Sequence, residues 1–371
     1  MRDLIVFGED FGGLPSSTQH LITRISKTRK VVWVNSIGLR QPKLNWHDSQ
    51  RVINKLFGKT KAGYAPAAPK QNNNLIEVNL KTIPAPASRF ARHIAKEMML
   101  RQLKPVLESN NIRSPILWSS LPTAADLCGH LDESAVVYYC GDDFESLAGV
   151  DHKVVGVHER KLMDKANLIL AASEKIRGKF PACKTQLLPH GVDVKLFSEP
   201  VKRAHDLPNN GKPTAGFYGS LSNWLDYDML EKVCLERSDW NFVFIGPNEL
   251  DKCALPQLPN VYVLGPRPHH TLPSYSQHWD VSLLPFTPNE QIQACSPLKL
   301  MEYIAARTPI ITTPFPALNG FNQHVNCVEN AQQMIDMLPV ALNQPILEKG
   351  ILDNHSWDSR SEFVSWLLEL L

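Results

Sequence analysis

The densest chemistry in the chain lies in Cys295-Ser296-Pro297-Leu298-Lys299-Leu300-Met301-Glu302-Tyr303. Ser296 is a good N-cap, since its hydroxyl can accept from a free N–H of the first turn. Pro297 suits the first helical position, because its fixed φ is already helical and its missing N–H would have no partner there. The sequence therefore predicts a helix from Pro297. A self-contained helix favours Asp or Glu in its first turn, yet this one carries Lys299, which adds charge to the positive end of the helix dipole. An anion opposite would reverse that cost, and open N–H groups beside a lysine suit a diphosphate. Glu302, three residues on, shares the face of Lys299; its carboxylate only accepts, and could take two hydroxyl donors such as a ribose diol. The competing reading is an i,i+3 pair on a solvated helix face. Against it stand the apolar flanks, Val281-Ser282-Leu283-Leu284-Pro285-Phe286 and Pro309-Ile310-Ile311-Thr312-Thr313, which read as strands buried on both faces.

The elements that must position these residues follow an α/β rhythm. Strands are expected at Leu4 to Phe7, Val31 to Asn35, Leu75 to Asn79, Ile116 to Ser119, Val136 to Tyr139, Leu168 to Ala171 and Gln186 to Leu188, with helical stretches between most of them. A second series runs Thr214 to Tyr218, Asn241 to Ile245, Val261 to Leu264, Val281 to Leu284 and Ile310 to Thr312. Alternation of this kind predicts two doubly wound parallel sheets. The turn-rich stretch Ser198 to Pro213, with Asn209-Asn210-Gly211, is the linker expected between them. That divides the chain into a first Rossmann-like domain at 1–200 and a second at 201–356, with a final helix at 357–371. Residues 40 to 74, rich in Lys, Asn, Pro and Ala, break the rhythm as an excursion on the basic face.

With 371 residues, 43% of them apolar, the chain can bury two cores. It has no apolar run long enough to span a membrane, and Leu4-Ile5-Val6-Phe7 already reads as a strand, so a cytosolic protein is expected. The seven cysteines are scattered singly and suggest reduced thiols, with no metal site. The net charge of +2 hides an asymmetry: residues 1–104 hold 18 Lys/Arg against 6 Asp/Glu, and residues 105–371 hold 21 against 31. Within the basic part, Arg89-Phe90-Ala91-Arg92-His93-Ile94-Ala95-Lys96 continues through Arg101 and Lys104 as an amphipathic helix with a cationic side. Such a helix suits an anionic membrane surface or an anionic lipid-linked acceptor, with a solvated helix face as the plain alternative. Nucleic acid is not an expected partner, because no aromatic-interleaved basic motif accompanies the charge.

Seven segments in order carry a resemblance: Val137-Tyr138-Tyr139-Cys140-Gly141-Asp142-Asp143, Ala171-Ala172-Ser173, Leu188-Pro189-His190-Gly191-Val192-Asp193, Gly216-Phe217-Tyr218-Gly219-Ser220-Leu221, Phe244-Ile245-Gly246-Pro247, Asn260-Val261-Tyr262-Val263-Leu264-Gly265, and Ser296-Pro297-Leu298-Lys299 with Glu302-Tyr303. Together they make the chain similar to GT-B glycosyltransferases that use nucleotide sugars. Among these it most resembles family 4 and the bacterial exopolysaccharide and teichuronic acid glycosyltransferases. The resemblance implies two Rossmann-like domains facing across a cleft, the acceptor on the first, the donor mainly on the second, and a last helix packing back on the first. It implies that Ser296 and Pro297 present the helix N-terminus to the diphosphate, that Lys299 pairs with a phosphate and that Glu302 binds the ribose. It also implies donor contacts for Gly219, Gly246, Gly265 and Arg267, the last beside the base or facing phosphate. The donor, with UDP as expected nucleotide, is a substrate; no cofactor is expected. His190-Gly191-Val192-Asp193 reads as structural first.

Two departures stand out. Family 4 usually carries Gly-Arg and a downstream Lys where this chain has Gly219-Ser220-Leu221-Ser222-Asn223-Trp224-Leu225-Asp226, and Ala294 stands where an acid is usual, with Glu290 the nearest. For catalysis, Asp142 follows a strand of the acceptor domain where similar inverting enzymes place a base; capping the next helix is the equal alternative. His20, expected in the first strand-to-helix loop, could reach the acceptor and the donor phosphates, or be a surface histidine. The expectation is a metal-independent hexosyltransferase, peripheral on the inner face of the cell membrane, acting on a lipid-linked or polysaccharide acceptor of a bacterial cell surface. A nucleotide-sugar epimerase and a non-catalytic nucleotide-sugar-binding protein are the alternatives.

Overall fold

The computed structural model describes residues 1–13, 16–36, 74–83, 88–142, 152–294 and 298–371. Ser296, Pro297, Asp143 and almost all of the excursion at 40–74 lie outside the described residues. Two compact units emerge, Met1–Pro189 with Ser361–Leu371, and His190–Arg360.

In the first unit β1 (Leu4–Phe7), β2 (Val31–Val34), β3 (Leu75–Val78), β4 (Ile116–Ser119), β5 (Ala135–Cys140), β6 (Leu168–Ala171) and β7 (Thr185–Leu187) form one sheet. Its order is β3-β2-β1-β4-β5-β6-β7 and every pairing is parallel. β-branched and aromatic runs such as Val31-Val32-Trp33-Val34 fit a strand covered on both faces, and β1, β2, β4, β5 and β6 are buried throughout. Trp33 and Trp118 are fully buried. Helix Arg89–Ser109 packs Ala95, Met99, Leu100, Leu103 and Leu107 inward, a 3.6-residue stripe, and starts at the Ser88 cap, whose hydroxyl accepts from Ala91 N–H at 3.1 Å.

The second unit repeats the plan with β8 (Thr214–Tyr218), β9 (Asn241–Ile245), β10 (Val261–Val263), β11 (Val281–Leu284), β12 (Ile310–Thr312) and β13 (Asn326–Cys327). Their order is β10-β9-β8-β11-β12-β13, again parallel throughout. In a sheet of this kind the strand order reverses between β8 and β11, and ligands bind outside the carboxyl ends of the strands at that switch point.

The expected linker is not one. Leu207 is buried in the second core, Ala204 N–H donates to Ser274 at 2.9 Å, and Asp206 pairs with Arg267, so 198–213 is packed into the second unit. The boundary accordingly falls at Pro189/His190. His190-Gly191-Val192-Asp193 begins the second unit: Val192 N–H donates to His355 and its carbonyl accepts from Trp357 N–H. A side chain at Gly191 would press on the Trp357 indole at 2.8 Å. The last helix, Trp357–Leu370, starts in the second unit and belongs to the first from Ser361 on. There Glu369 pairs at 2.8 Å with Arg29, whose side chain is almost fully buried.

Candidate functional site

At the carboxyl ends of β8, β9 and β10 three turns are stitched together. Gly219 N–H donates to the Ile245 carbonyl at 2.8 Å, and Gly246 N–H to the Gly265 carbonyl at 3.0 Å. Gly219 (φ +139°) and Gly246 (φ +150°) hold backbone conformations that L side chains rarely adopt. A Cβ on Gly246 would collide with the Gly219 carbonyl oxygen, so this glycine lets one turn lie on the next. A Cβ on Gly219 would collide with Cε of Lys299 and stand 3.0 Å from its Nζ. Lys299 therefore lies directly over the turn after β8, at the switch point. Among the described residues no carboxylate lies within ion-pair distance of its ammonium.

Lys299 is carried by helix Leu298–Ala306, which buries Leu300, Met301, Tyr303, Ile304 and Ala305. The predicted start at Ser296 and Pro297 lies outside the described residues. Tyr303 fixes the helix to the sheet: its hydroxyl accepts from Tyr218 N–H at 3.1 Å. Around that bond Tyr218, Trp279, Tyr303 and Phe197 form an aromatic floor, with Tyr218 and Tyr303 rings 4.9 Å apart.

Glu302 is 3% exposed and does not pair with Lys299. Its Oε1 lies 2.7 Å from Nε2 of His269. Burial pushes the His269 imidazole toward its neutral form, but the hydrogen bond and charge of Glu302, with help from Asp193, outweigh it and leave the pKa raised. Burial, then the Glu302 charge, holds the Tyr218 hydroxyl firmly protonated. The solvated-pair reading of Lys299 and Glu302 thus fails, because the carboxylate is inside and already has a partner. His269 was not singled out in the sequence; the signal was the need of a buried carboxylate for a cation or donor.

Arg267 is also committed. Its Nη2 lies 2.6 Å from Asp206, its Nε donates to the Tyr275 hydroxyl at 3.0 Å, and that hydroxyl donates to Asp206 at 2.8 Å. Those bonds, that to Asp206 foremost, raise the Arg267 pKa. A donor contact by Arg267 would have to compete with this closed triad. Gly265 (φ +71°) has open space where a Cβ would stand. Glu290 opens the short helix Glu290–Ala294 and is exposed.

In the first unit Asp142 follows β5 and is exposed; Cys140 Sγ lies 3.3 Å from its carbonyl. The residues it would have to cap are outside the described set. His20 is not in a loop: Ser16 caps helix Ser17–Ile25, accepting from Gln19 N–H at 3.1 Å, which places His20 half-buried within that helix. The sequence reading passed over Glu9, just beyond β1. Burial raises its pKa, the charges of Asp142 and Asp10 raise it further, and hydrogen bonds from its own backbone and Gln19 oppose them. Glu9 and Asp142 therefore share one acidic neighbourhood at the carboxyl ends of β1 and β5.

The fold and the stitched turns define a two-unit, parallel-sheet α/β protein of GT-B type. Residues 212–341, within the second unit, match the family "Glycosyl transferases group 1". Over 249 residues the chain is 28% identical to "Putative teichuronic acid biosynthesis glycosyltransferase TuaH" of Bacillus subtilis (strain 168). That match covers 62% of this chain and 62% of the relative. Among solved structures, HepE of Anabaena in complex with UDP and glucose aligns with a TM-score of 0.70 at 10% identity over 100% of both chains. Sucrose-phosphate synthase from Thermosynechococcus elongatus aligns at 0.68 and 13%, covering 100% of this chain and 99% of that one. At such identities these likenesses concern the fold alone. Among the described residues, no helix is long and apolar enough to cross a membrane, and no three His, Cys, Asp or Glu side chains are grouped as metal ligands.

Proposed function

We propose that the protein is a glycosyltransferase, metal-independent and hexosyltransferase-type, that moves a sugar from a nucleoside diphosphate sugar, with UDP as the expected nucleotide, to a lipid-linked or polysaccharide acceptor in bacterial cell-surface synthesis. The observation that carries this reading is Lys299 lying over Gly219 at the switch point of the second sheet, with no carboxylate paired to it among the described residues. A diphosphate there would meet a cation and backbone N–H groups together. As the bond from the anomeric carbon to the diphosphate breaks, the leaving oxygen would gain charge, which Lys299 would stabilise. Glu302 would offer its second carboxylate oxygen to the ribose while His269 holds the first. If configuration inverts, Asp142 would take the acceptor hydroxyl proton, with Glu9 beside it. Contact with an anionic membrane through helix Arg89–Ser109 is part of the proposal, supported by Phe90, which is 74% exposed beside Arg89.

The test is incubation of the protein with a panel of nucleotide sugars, with and without lipid-linked acceptors, scoring free nucleotide and product. Absence of binding to every donor ends the reading. Sugar interconversion without an acceptor would make the protein an epimerase. One observation favours a non-catalytic donor-binding reading: the turn 219–226 has no cation and Arg267 is held by Asp206. Donor binding with neither transfer nor hydrolysis would establish it. Activity unchanged by EDTA is expected; its loss, restored by a divalent cation, would refute metal independence.

A further inference from the structure

The helical layer of the first unit contains a hollow of about 270 Å³ lined by Arg89, Arg92, Lys96, Lys161, Lys165, Asp126, His93 and His130. Five permanent cations face one carboxylate. Asp126 is taken up by Lys161 at 2.6 Å, with Arg92 Nε and the buried His158 each 3.9 Å away. Burial works against the charge of Asp126, but Lys161, His158 and Arg92 together hold its pKa below the usual carboxylate range. Among the described residues Lys96 has only the exposed Glu97 at 3.5 Å and the ring of His130 at 3.3 Å, and Lys165 donates to the Cys128 carbonyl, which carries no charge. Nε of Arg92 is buried without a hydrogen-bond partner. Burial, then Lys96 and Lys165, drive His130 toward its neutral form, outweighing the opposing charges of Glu133 and Glu97.

We propose that this hollow is a binding site for a compact, multiply charged phosphate group, a diphosphate or a phosphomonoester, held by Arg89, Arg92, Lys96 and Lys165. The volume sets a scale: at ~30 Å³ per water the hollow has room for several waters' worth of ligand, as a compact phosphate group needs. Charge favours a multiply charged ligand, since among the described residues Arg89 and Lys165 have no carboxylate partner, Arg92 reaches Asp126 only at 3.9 Å and Lys96 reaches Glu97 only at 3.5 Å, and the two arginines offer forks that match phosphate oxygens. Lys165 lies just before β6 begins, at the opposite end of the strands from Asp142, which follows β5, and neither Glu9 nor Asp142 lines the hollow. The site is thus separate from the acidic neighbourhood of Glu9 and Asp142. It does not rest on the transferase reading.

Calorimetric titration with pyrophosphate tests it, in a Lys299→Ala background so that the donor cation of the second unit is removed. One-site binding is expected, weakened at least tenfold by R89Q/K165Q, both exposed positions, and unaffected by R101Q/K104Q, two exposed cations of the same helix outside the hollow. Circular dichroism checks the fold, and K96Q/K165Q gives a second variant with the same expected loss. Vesicles of phosphatidic acid separate the sources: co-sedimentation displaced by pyrophosphate identifies a lipid headgroup, and pyrophosphate binding without co-sedimentation identifies a soluble phosphate. No pyrophosphate binding, or equal weakening by R101Q/K104Q, overturns the proposal, because the charge would then act diffusely.

Discussion

At the scale of single residues, the candidate donor site separates two kinds of charge. Glu302 is buried and satisfied by His269, a structural pair as it stands, whereas Lys299 has a place but no counter-charge among the described residues. Replacing each should therefore read differently. Lys299→Ala should weaken nucleotide binding at least tenfold, equivalent to about 1.4 kcal/mol, and leave the melting temperature without ligand nearly unchanged; a large drop in that temperature would show Lys299 to be structural. His269→Gln should destabilise the protein, by about 1–3 kcal/mol for a weakened bond to a buried charge. The pH dependence has a definite sign. The pKa of His269 is raised in the folded state, so its pair stabilises fully below the unfolded value near 6.5 and loses that contribution as pH climbs through the folded value. Melting curves of the two proteins should differ most at pH 5.5–6 and converge in mildly alkaline buffer. A gap that widens with rising pH would contradict the assigned pairing.

At the scale of elements, turns decide the site and strands carry it. Gly246 should be the least replaceable of the three stitched glycines: an added Cβ meets the Gly219 carbonyl, a backbone atom that cannot swing aside, on top of roughly 1–3 kcal/mol of backbone strain. Gly265→Ala meets open space and should cost only roughly 1–2 kcal/mol for the left-handed backbone. Urea unfolding of both variants ranks them, and equal losses would mean the turns do not lie on one another as described. The central strands were legible because both faces of each are covered, which forces apolar runs such as Leu4-Ile5-Val6-Phe7 and Val281-Ser282-Leu283-Leu284 that need no knowledge of partners. β13 went unread, since Asn326-Cys327 is two residues long and not buried. What the sequence hid were pairings across distance. His269 and Glu302 are 33 positions apart, and Asp206 and Arg267 are 61 apart. Asp206 also sits in a Pro/Asn/Gly-rich stretch whose composition reads as a tether although Leu207 is buried. His20 was misplaced by the same local blindness: Gly12 and Gly13 suggest a loop, but the Ser16 cap starts the helix early enough to include it.

At the scale of the whole molecule, two hydrophobic cores are built on two sheets, one around Ile5, Val32, Leu117, Tyr138 and Ile169, the other around Phe217, Phe242, Leu283, Tyr303 and Ile311. Multi-unit proteins of this kind need not unfold in one step. Tryptophans report each core separately, because Trp33 and Trp118 are buried in the first unit while Trp240 and Trp279 are buried in the second. If the donor site is where Lys299 crosses Gly219, a nucleotide that binds only the native second unit must stabilise that unit by mass action, by about 2.7 kcal/mol at a hundred times its dissociation constant. Calorimetry with UDP, read in parallel by fluorescence of variants that keep only one tryptophan pair, should therefore raise the transition reported by Trp240 and Trp279. Lys299→Ala should abolish most of that rise. A shift confined to the transition reported by Trp33 and Trp118 would place the nucleotide on the first sheet instead, and the assignment of the switch point between β8 and β11 as the donor site would fall with it.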